Sequence, residues 1–233
     1  MARTIPAQRF NDLVKTSCAT FISRGYRLTQ MADIAREMGV AKGTLYGYVE
    51  GKRALFYLAL EYADRPLEDG FPFQPPLANP EPGALLALFQ RRLMEVAQFP
   101  ILEQAIAQDQ PEDLDAEFTA IVRELYRLLY VNRTGVKLVN RCAPEIPEIG
   151  DLWHRSGRGT EISRLRTYLQ RRADGGGLAS FPSGDVAARL LLETVATWAV
   201  HLNWDPVPIK YDPRVVEETV VLSLRRSFLC REL

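Results

Sequence analysis

The chain has 233 residues, 47% of them hydrophobic and 25% charged, which is the composition of an ordinary globular protein with room for a small domain and a larger one. No apolar run approaches the roughly 18 residues that span a bilayer, and the N-terminal stretch lacks the apolar core of a signal peptide, so we expect a cytoplasmic protein without a membrane segment. Because Cys18, Cys142 and Cys230 lack the paired spacing of a zinc or dithiol site, we expect no metal and no cofactor.

Charge is balanced over the whole chain, with 29 basic and 29 acidic residues, but it is not balanced along the chain. Residues 1–65 contain ten Lys or Arg against six Asp or Glu, a net charge of +4, which leaves −4 for the remainder. An anionic partner is therefore expected to bind the N-terminal quarter.

The first 64 residues show the periodicity of four helices. Apolar side chains recur every three or four residues from Phe10 to Ile22, and Gly25 is a natural stop for that helix. A second helix is predicted from Thr29, as its N-cap, to Gly39. The third and fourth are predicted at residues 41–49 and 52–64.

A proline-rich break at 66–82 is predicted to separate the first four helices from a second helical region. The helices predicted in that region span 83–99, 112–140, 147–173, 184–204 and 213–231. Asp212 followed by Pro213 predicts a sharp helix start, and the glycines at 175–177 predict a helix end. Since no segment shows the period-two alternation of a sheet, the sequence predicts an all-α fold.

The predicted helix at 184–204 is apolar nearly all round. One face carries Val186, Leu190, Thr194, Trp198 and Leu202, and another carries the smaller set Ala188, Leu192, Ala196 and Ala199. Small side chains permit close packing against a symmetry mate, so we expect a homodimer through helices 184–204 and 213–231. The alternative is complete burial of this helix within one subunit.

The segment MADIAREMGVAKGTLYGYVE, residues 31–50, has the spacing of a helix-turn-helix. Ala35 is small where two helices cross, and Gly39 lies in the turn, where a positive φ is expected. The expected inward-facing positions are Ile34, Met38, Val40, Leu45 and Tyr48.

The run DIAREMGVAKGTLYGYVEGKRALF, preceded by FISRGYRLTQM, resembles the DNA-binding domain of the TetR family of regulators over about the first 60 residues. Farther on, KLVNRCAPEIPEIGDLWHR resembles a segment in the C-terminal domain of many members. The resemblance implies a three-helix helix-turn-helix domain at residues 1–52, with its motif at about 30–49. It also implies a larger helical ligand-binding and dimerisation domain at residues 53–233.

The resemblance also implies that the partner is a palindromic operator in double-stranded DNA. The residues that would face base edges in the major groove are Lys42, Gly43 and Tyr46. Those that would hold phosphates are Thr44, Tyr48 and Lys52, with Thr29 and Gln30 at the start of the second helix.

Three positions depart from the family pattern, because Ala32, Ala41 and Gly47 stand where arginine, a capping serine and a larger residue are common. Without the cap and with a glycine, the recognition helix is expected to become fully ordered only on DNA. Separately, Lys52 and Arg53 both occupy the first turn of a helix, where cations are disfavoured. A DNA phosphate could compensate them, or both could be solvated charges.

TetR-like proteins generally bind a small molecule in the C-terminal domain, and the resemblance implies the same here. The candidate lining residues are aromatic or amphipathic: Phe89, Tyr126, Tyr130, Trp153, His154, Trp198 and His201. For each one, ordinary core packing is the alternative. As a set they favour an apolar or aromatic effector.

The predicted function is a DNA-binding transcriptional repressor that such an effector releases from its operator, with the fourth helix as the lever between the two domains. The alternative is an effector-independent regulator, or an activator that responds to a protein partner. An enzyme is not expected, because the chain has two histidines and no HExxH, GxSxG or phosphate-loop pattern.

Overall fold

The structure is a computed structural model that describes residues 7–68, 72–153, 159–205 and 207–230. Across those ranges the regular structure is helical, and β pairing is limited to isolated bridges between Val49 and Leu77 and between Leu178 and Leu229. This confirms the predicted all-α fold. Within the same ranges, no helix combines the length and the apolar character that crossing a membrane requires.

Twelve α-helices are described, and short 3-10 helices lie at Ala143–Glu145 and His201–Trp204. The α-helices are α1 (Ala7–Leu28), α2 (Met31–Glu37), α3 (Lys42–Tyr46), α4 (Lys52–Tyr62), α5 (Ala84–Val96), α6 (Pro100–Ala107), α7 (Leu114–Val131), α8 (Arg133–Cys142), α9 (Pro147–Leu152), α10 (Gly159–Asp174), α11 (Gly184–Ala199) and α12 (Pro213–Phe228).

The chain packs as two compact units that are not contiguous in sequence. The first unit runs to Glu95 and adds Thr134–Trp153, while the second holds Val96–Arg133 and helices α10, α11 and α12. The predicted boundary after residue 52 separates a DNA-binding domain from a ligand-binding domain by function, and it stays a prediction. Packing places α8 and α9 in the same unit as the N-terminal helices.

The first unit is built on α1 and α4, which pack against each other. Phe21 of α1 and Phe56 of α4 are fully buried and meet edge to face at 5.2 Å between ring centroids. Gly25 interrupts α1 with φ +82°, so the predicted break is confirmed, although a short helical segment continues to Leu28. The second helix begins at Met31 with Gln30 as its N-cap, so the predicted cap at Thr29 is wrong.

The second unit contains two helix boundaries that local sequence predicted correctly. The Asp212 carboxylate accepts a hydrogen bond from the Arg214 N–H at 2.9 Å, with Pro213 in the first turn of α12. Gly176 ends the α10 region with φ +77°. The predicted helix at 184–204 stops being α-helical at Ala199 and continues as a 3-10 turn.

Other predicted helices are divided. The predicted 112–140 helix is α7 and α8, separated at Asn132, whose φ and ψ are −105° and 18°. In the first unit, the Asp64 carboxylate accepts hydrogen bonds from the Thr134 and Gly135 N–H groups at 3.1 and 2.8 Å and so caps the start of α8. The predicted 147–173 helix is α9 and α10, and α6 was not predicted at all.

The burial of the two predicted faces of α11 differs from the prediction. Ala188 and Ala199 are fully buried and Leu192 is 7% exposed, so the small-residue face packs inside the second unit, and its assignment to a symmetry mate is wrong. The exposed face carries the larger residues Val186 and Leu190, 66% and 53% exposed. Because α11 packs on α7 and α10 within its own unit, the close contacts that small residues permit are made there.

Candidate nucleic-acid interface

The turn between α2 and α3 is shaped as the sequence predicted. Gly39 has φ +65°, and the Val40 N–H donates to the Ala35 carbonyl at 3.0 Å, which turns the chain from one helix to the next. Ile34 and Leu45 are fully buried and join both helices to the core. Met38, Val40 and Tyr48, which were also expected inside, are not fully buried.

The outer side of α3 is open to solvent. Lys42, Gly43, Thr44 and Tyr46 are all exposed. The Lys42 Nζ lies 5.8 Å from the centroid of the Tyr46 ring, so a cation and an aromatic face are presented side by side. A Cβ placed on Gly43 would meet no atom within 4 Å, which leaves the backbone there free for close approach. The surface can thus donate hydrogen bonds and offer an apolar ring to base edges.

Three further residues were predicted to contact phosphates, and they differ in exposure. Gln30 is exposed at the start of α2, and Tyr48 is half-buried after α3. Thr29 is fully buried, and its hydroxyl donates to the Gly25 carbonyl at 2.6 Å. Its side chain bonds to the end of α1 and does not reach the surface, which differs from the exposed phosphate contact that was predicted.

Lys52, another predicted phosphate contact, is bound to the protein itself. Its Nζ donates to the Tyr26 carbonyl at 2.9 Å and to the Arg27 carbonyl at 3.3 Å, and it lies 4.6 Å from the Tyr26 ring centroid. Arg53 forms an ion pair with Glu148 at 2.8 Å. Both cations in the first turn of α4 thus have partners within the first unit, an outcome that neither sequence alternative had included.

Asp33 is a residue of this region that sequence reasoning missed. It is 9% exposed, accepts from the Gln30 N–H at 3.0 Å, and pairs with Arg24 at 3.1 Å and Arg36 at 2.9 Å. The Gln30 N–H and the two guanidinium groups lower the pKa of Asp33 against a smaller opposing effect of burial. The available signal was the spacing of Gln30 and Asp33, which is that of a capping box.

The predicted ligand-binding residues do not form one cluster. Phe89 and Trp153 belong to the first unit and meet edge to face at 6.3 Å. Tyr126 and Tyr130 belong to the second unit and stack at 6.0 Å. Burial raises the pKa of Tyr126 to about 12, so its hydroxyl stays protonated.

The remaining ligand candidates are three. Trp198 is 38% exposed on α11 and contacts Tyr211 at 6.3 Å, so it lies on the outer face of the second unit. His201 is half-buried in the 3-10 turn after α11. His154 lies outside the described residues.

An exposed short helix on a buried support, in the basic N-terminal part of the chain, is the arrangement of a helix-turn-helix domain. Residues 13–57 match the family model described as bacterial regulatory proteins, tetR family. No curated protein matches the chain.

Solved structures match nearly the whole chain. The ketosteroid transcriptional regulator KstR2 of Mycobacterium tuberculosis is 14% identical, with 96% of each chain covered and a TM-score of 0.56. The TetR family transcriptional regulator PfmR from Thermus thermophilus is 16% identical, with 91% of each chain covered and a TM-score of 0.52. AibR in complex with isovaleryl coenzyme A and operator DNA is 15% identical, with 94% of this chain and 100% of that chain covered and a TM-score of 0.50. Identities this low show a shared fold.

Proposed function

We propose that the protein is a homodimeric, sequence-specific DNA-binding transcriptional regulator that reads a palindromic operator with one α3 from each protomer. The observation that carries the proposal is the exposed outer side of α3, with Lys42, Gly43, Thr44 and Tyr46 in solvent and Leu45 buried beneath them. The net charge of +4 over residues 1–65 suits a polyanionic partner.

Each exposed side chain of α3 has a chemical match in the major groove. The Lys42 ammonium can donate to guanine O6 and N7, and the Tyr46 ring can pack on a thymine methyl. Gly43 lets the backbone approach closely. Thr44 of α3, Tyr48 just after it and Gln30 at the start of α2 are the proposed phosphate contacts.

Dimerisation is proposed through the exposed apolar faces of α11 and α12, which are adjacent helices of the second unit. The residues that form this face are Val186, Leu190 and Trp198 of α11 and Val215 and Leu222 of α12, all between 38% and 66% exposed. An apolar surface of this kind marks an interaction site, and a two-fold axis there would present two recognition helices to half-sites about 34 Å apart.

The proposed mode is repression relieved by a small apolar or aromatic effector. Support comes from the names of structures with this fold, one called a ketosteroid regulator and another bound to isovaleryl coenzyme A together with operator DNA. In this mode the effector favours a conformation whose two recognition helices no longer match the operator, with α4 as the proposed lever.

The direct test is footprinting on the DNA upstream of the protein's own gene, combined with selection from random duplexes. We expect a protected palindrome whose half-sites are centred about 10 base pairs, or a multiple of that distance, apart. Equal affinity for the selected sequence and for random DNA would contradict sequence-specific reading. Native mass spectrometry of the purified dimer tests the effector, since a bound metabolite that releases the selected duplex is expected.

Lys42→Ala tests the role of α3 itself. We expect weaker binding to the selected duplex and a plot of log affinity against log salt that is shallower by about one unit, because one phosphate or base contact carrying a cation is lost. Arg123→Ala, which removes an exposed cation from α7 in the second unit, is the charge-matched control and should change neither quantity. An unchanged salt slope for Lys42→Ala would remove Lys42 from the interface.

A further inference from the structure

We propose that Lys52, Arg141 and Glu145 are positioning residues for DNA binding: they hold the backbone between α1 and α2 and do not contact DNA. We call these three side chains the junction clasp. The inference rests on the proposed function, and it replaces the family-based expectation that Lys52 holds a phosphate.

The junction clasp satisfies backbone groups that the end of α1 leaves open. The Arg141 Nη2 donates to the Arg24 carbonyl at 2.9 Å, and the Arg27 N–H donates to Glu145 Oε2 at 2.7 Å. Arg141 and Glu145 pair with each other at 2.6 Å. One ion pair from the α8 region therefore binds both sides of the break in α1.

Gly25 makes this approach possible. Its φ of +82° belongs to the left-handed region that favours glycine, and a Cβ at this position would collide with Glu145 Oε1 and lie 2.6 Å from Arg141 Nη2. The sequence thus has a residue without a side chain where two charged side chains reach the backbone.

Lys52 holds the same junction from α4. An ammonium group has three N–H donors, and the Lys52 Nζ directs its contacts at the Tyr26 carbonyl, the Arg27 carbonyl and the Tyr26 ring face. These contacts hold the ammonium on the protein's own backbone at the end of α1. Its effect on DNA binding is then exerted through the backbone of residues 26 and 27.

The position of α2 follows from this junction. Only Leu28 to Gln30 separate Arg27 from the first residue of α2, and the Thr29 hydroxyl also bonds back to Gly25. Because α2 supports α3 through the turn at Gly39, a loosened junction is expected to let the recognition helix shift from its fitted position, which lowers affinity for the operator.

Removing the Glu145 carboxylate separates two explanations, because electrostatics and positioning predict opposite changes in DNA affinity. Removing a carboxylate makes the protein more positive, so electrostatics alone predicts equal or tighter DNA binding. Loss of a positioning group predicts weaker binding to the specific sequence. Although partial burial opposes ionisation, the Arg27 N–H and the Arg141 guanidinium hold the pKa of Glu145 below its usual value, in keeping with the hydrogen bonds that its carboxylate accepts from them.

The experiment compares Glu145→Ala with Glu37→Ala, in which the same charge is removed from a 57% exposed side chain of α2. On the selected duplex we expect Glu145→Ala to lose roughly tenfold in affinity, from the loss of charge-assisted hydrogen bonds, with an unchanged salt slope. Glu37→Ala is expected to bind as tightly as wild type or more tightly. Lys52→Met is also expected to lose affinity with an unchanged salt slope.

A second measurement needs no DNA. Hydrogen exchange of the free full-length protein should show a faster-exchanging Arg27 amide in Glu145→Ala and normal protection of α4 and α11, which separates a loosened junction from general unfolding. The inference is overturned if Glu145→Ala binds like Glu37→Ala, if the Arg27 amide is unaffected, or if Lys52→Met lowers the salt slope by about one unit. Wild type that shows no sequence preference would instead contradict the proposed function and leave the exchange result to decide the junction clasp.

Discussion

Glu161 is a buried carboxyl group that its surroundings do not fully satisfy. Its Oε1 accepts from Arg164 at 3.2 Å, its Oε2 has no hydrogen-bond partner among the described residues, and the residue is 9% exposed. Burial is the main cause that raises the pKa of Glu161 to about 7, against the attraction of Arg164. At neutral pH this group therefore costs stability.

The sign of the resulting pH dependence can be worked out. When the pH is below the unfolded-state pKa of about 4.3, the carboxyl is protonated in both states and does not lower stability. As the pH rises from there through about 7, stability is lost, because the unfolded state ionises freely while the folded state resists ionisation. We expect Glu161→Gln to remove this loss. Its free energy of unfolding should exceed that of wild type increasingly between pH 4.5 and 7, by about 1.4 kcal/mol for each unit of pKa shift. Urea unfolding of both proteins at several pH values measures this difference in stability. A difference that does not change with pH would contradict a raised pKa for Glu161.

Single residues were predicted well where their role depends on neighbours in sequence. The exposure of Lys42 and Tyr46 follows from the spacing of a helix whose Leu45 is buried, so local pattern is enough. Thr29 and Lys52 have intramolecular partners that the sequence analysis did not predict, because each side chain bonds a backbone carbonyl. For Lys52 that carbonyl is 26 residues away, and no local pattern reports it.

At the scale of elements, α3 is the weakest helix of the first unit by local criteria. It has five residues, and its N-cap, Ala41, offers no side-chain acceptor. Because the first N–H groups of α3 lack a partner from the cap side chain, we expect Ala41→Ser to stabilise the free protein by about 0.5 to 1 kcal/mol and to raise the exchange protection of residues 43–46.

Ala19→Ser is the control for this change, since it places the same side chain at an exposed position inside α1, where serine slightly destabilises a helix. If the weak cap is why α3 needs DNA to become fully ordered, operator should increase the protection of residues 43–46 more in wild type than in Ala41→Ser. Equal protection of wild type with and without operator would show that α3 is already fixed.

Helix boundaries show the same limit of sequence reasoning. Local signals were sufficient at two boundaries. Asp212 caps a helix that begins at the next residue, and Gly176 ends a helix through its own positive φ. The start of α8 was missed, because its cap is the carboxylate of Asp64, 70 residues earlier. The faces of α11 could be identified as apolar, but which face is covered depends on packing partners that the periodicity does not name.

At the scale of the whole molecule, the proposed dimer makes DNA binding depend on α11. Leu190→Glu places a charge at the 53% exposed centre of that helix face. We expect it to weaken self-association and to make operator binding depend more steeply on protein concentration, since two recognition helices must act together. Sedimentation velocity measures the first effect and titration of the duplex the second.

Val131→Glu is the matched control, because it makes the same kind of change at a 59% exposed apolar residue of α7, outside the proposed face. It should leave self-association unchanged. A wild-type protein that sediments as a single chain at working concentrations would refute the dimer.

The division of the chain into units bears on how its parts can be exchanged with those of other proteins. A hybrid regulator that takes only the first 65 residues would leave behind Arg141, Glu145 and Glu148, which bind the backbone near Gly25 and the Arg53 side chain. The transplanted N-terminal helices would then lack hydrogen-bond partners for the Arg24 carbonyl and the Arg27 N–H. A graft of residues 1–95 that also includes residues 134–153 would transfer the whole of the first compact unit, although its two segments are not contiguous in sequence.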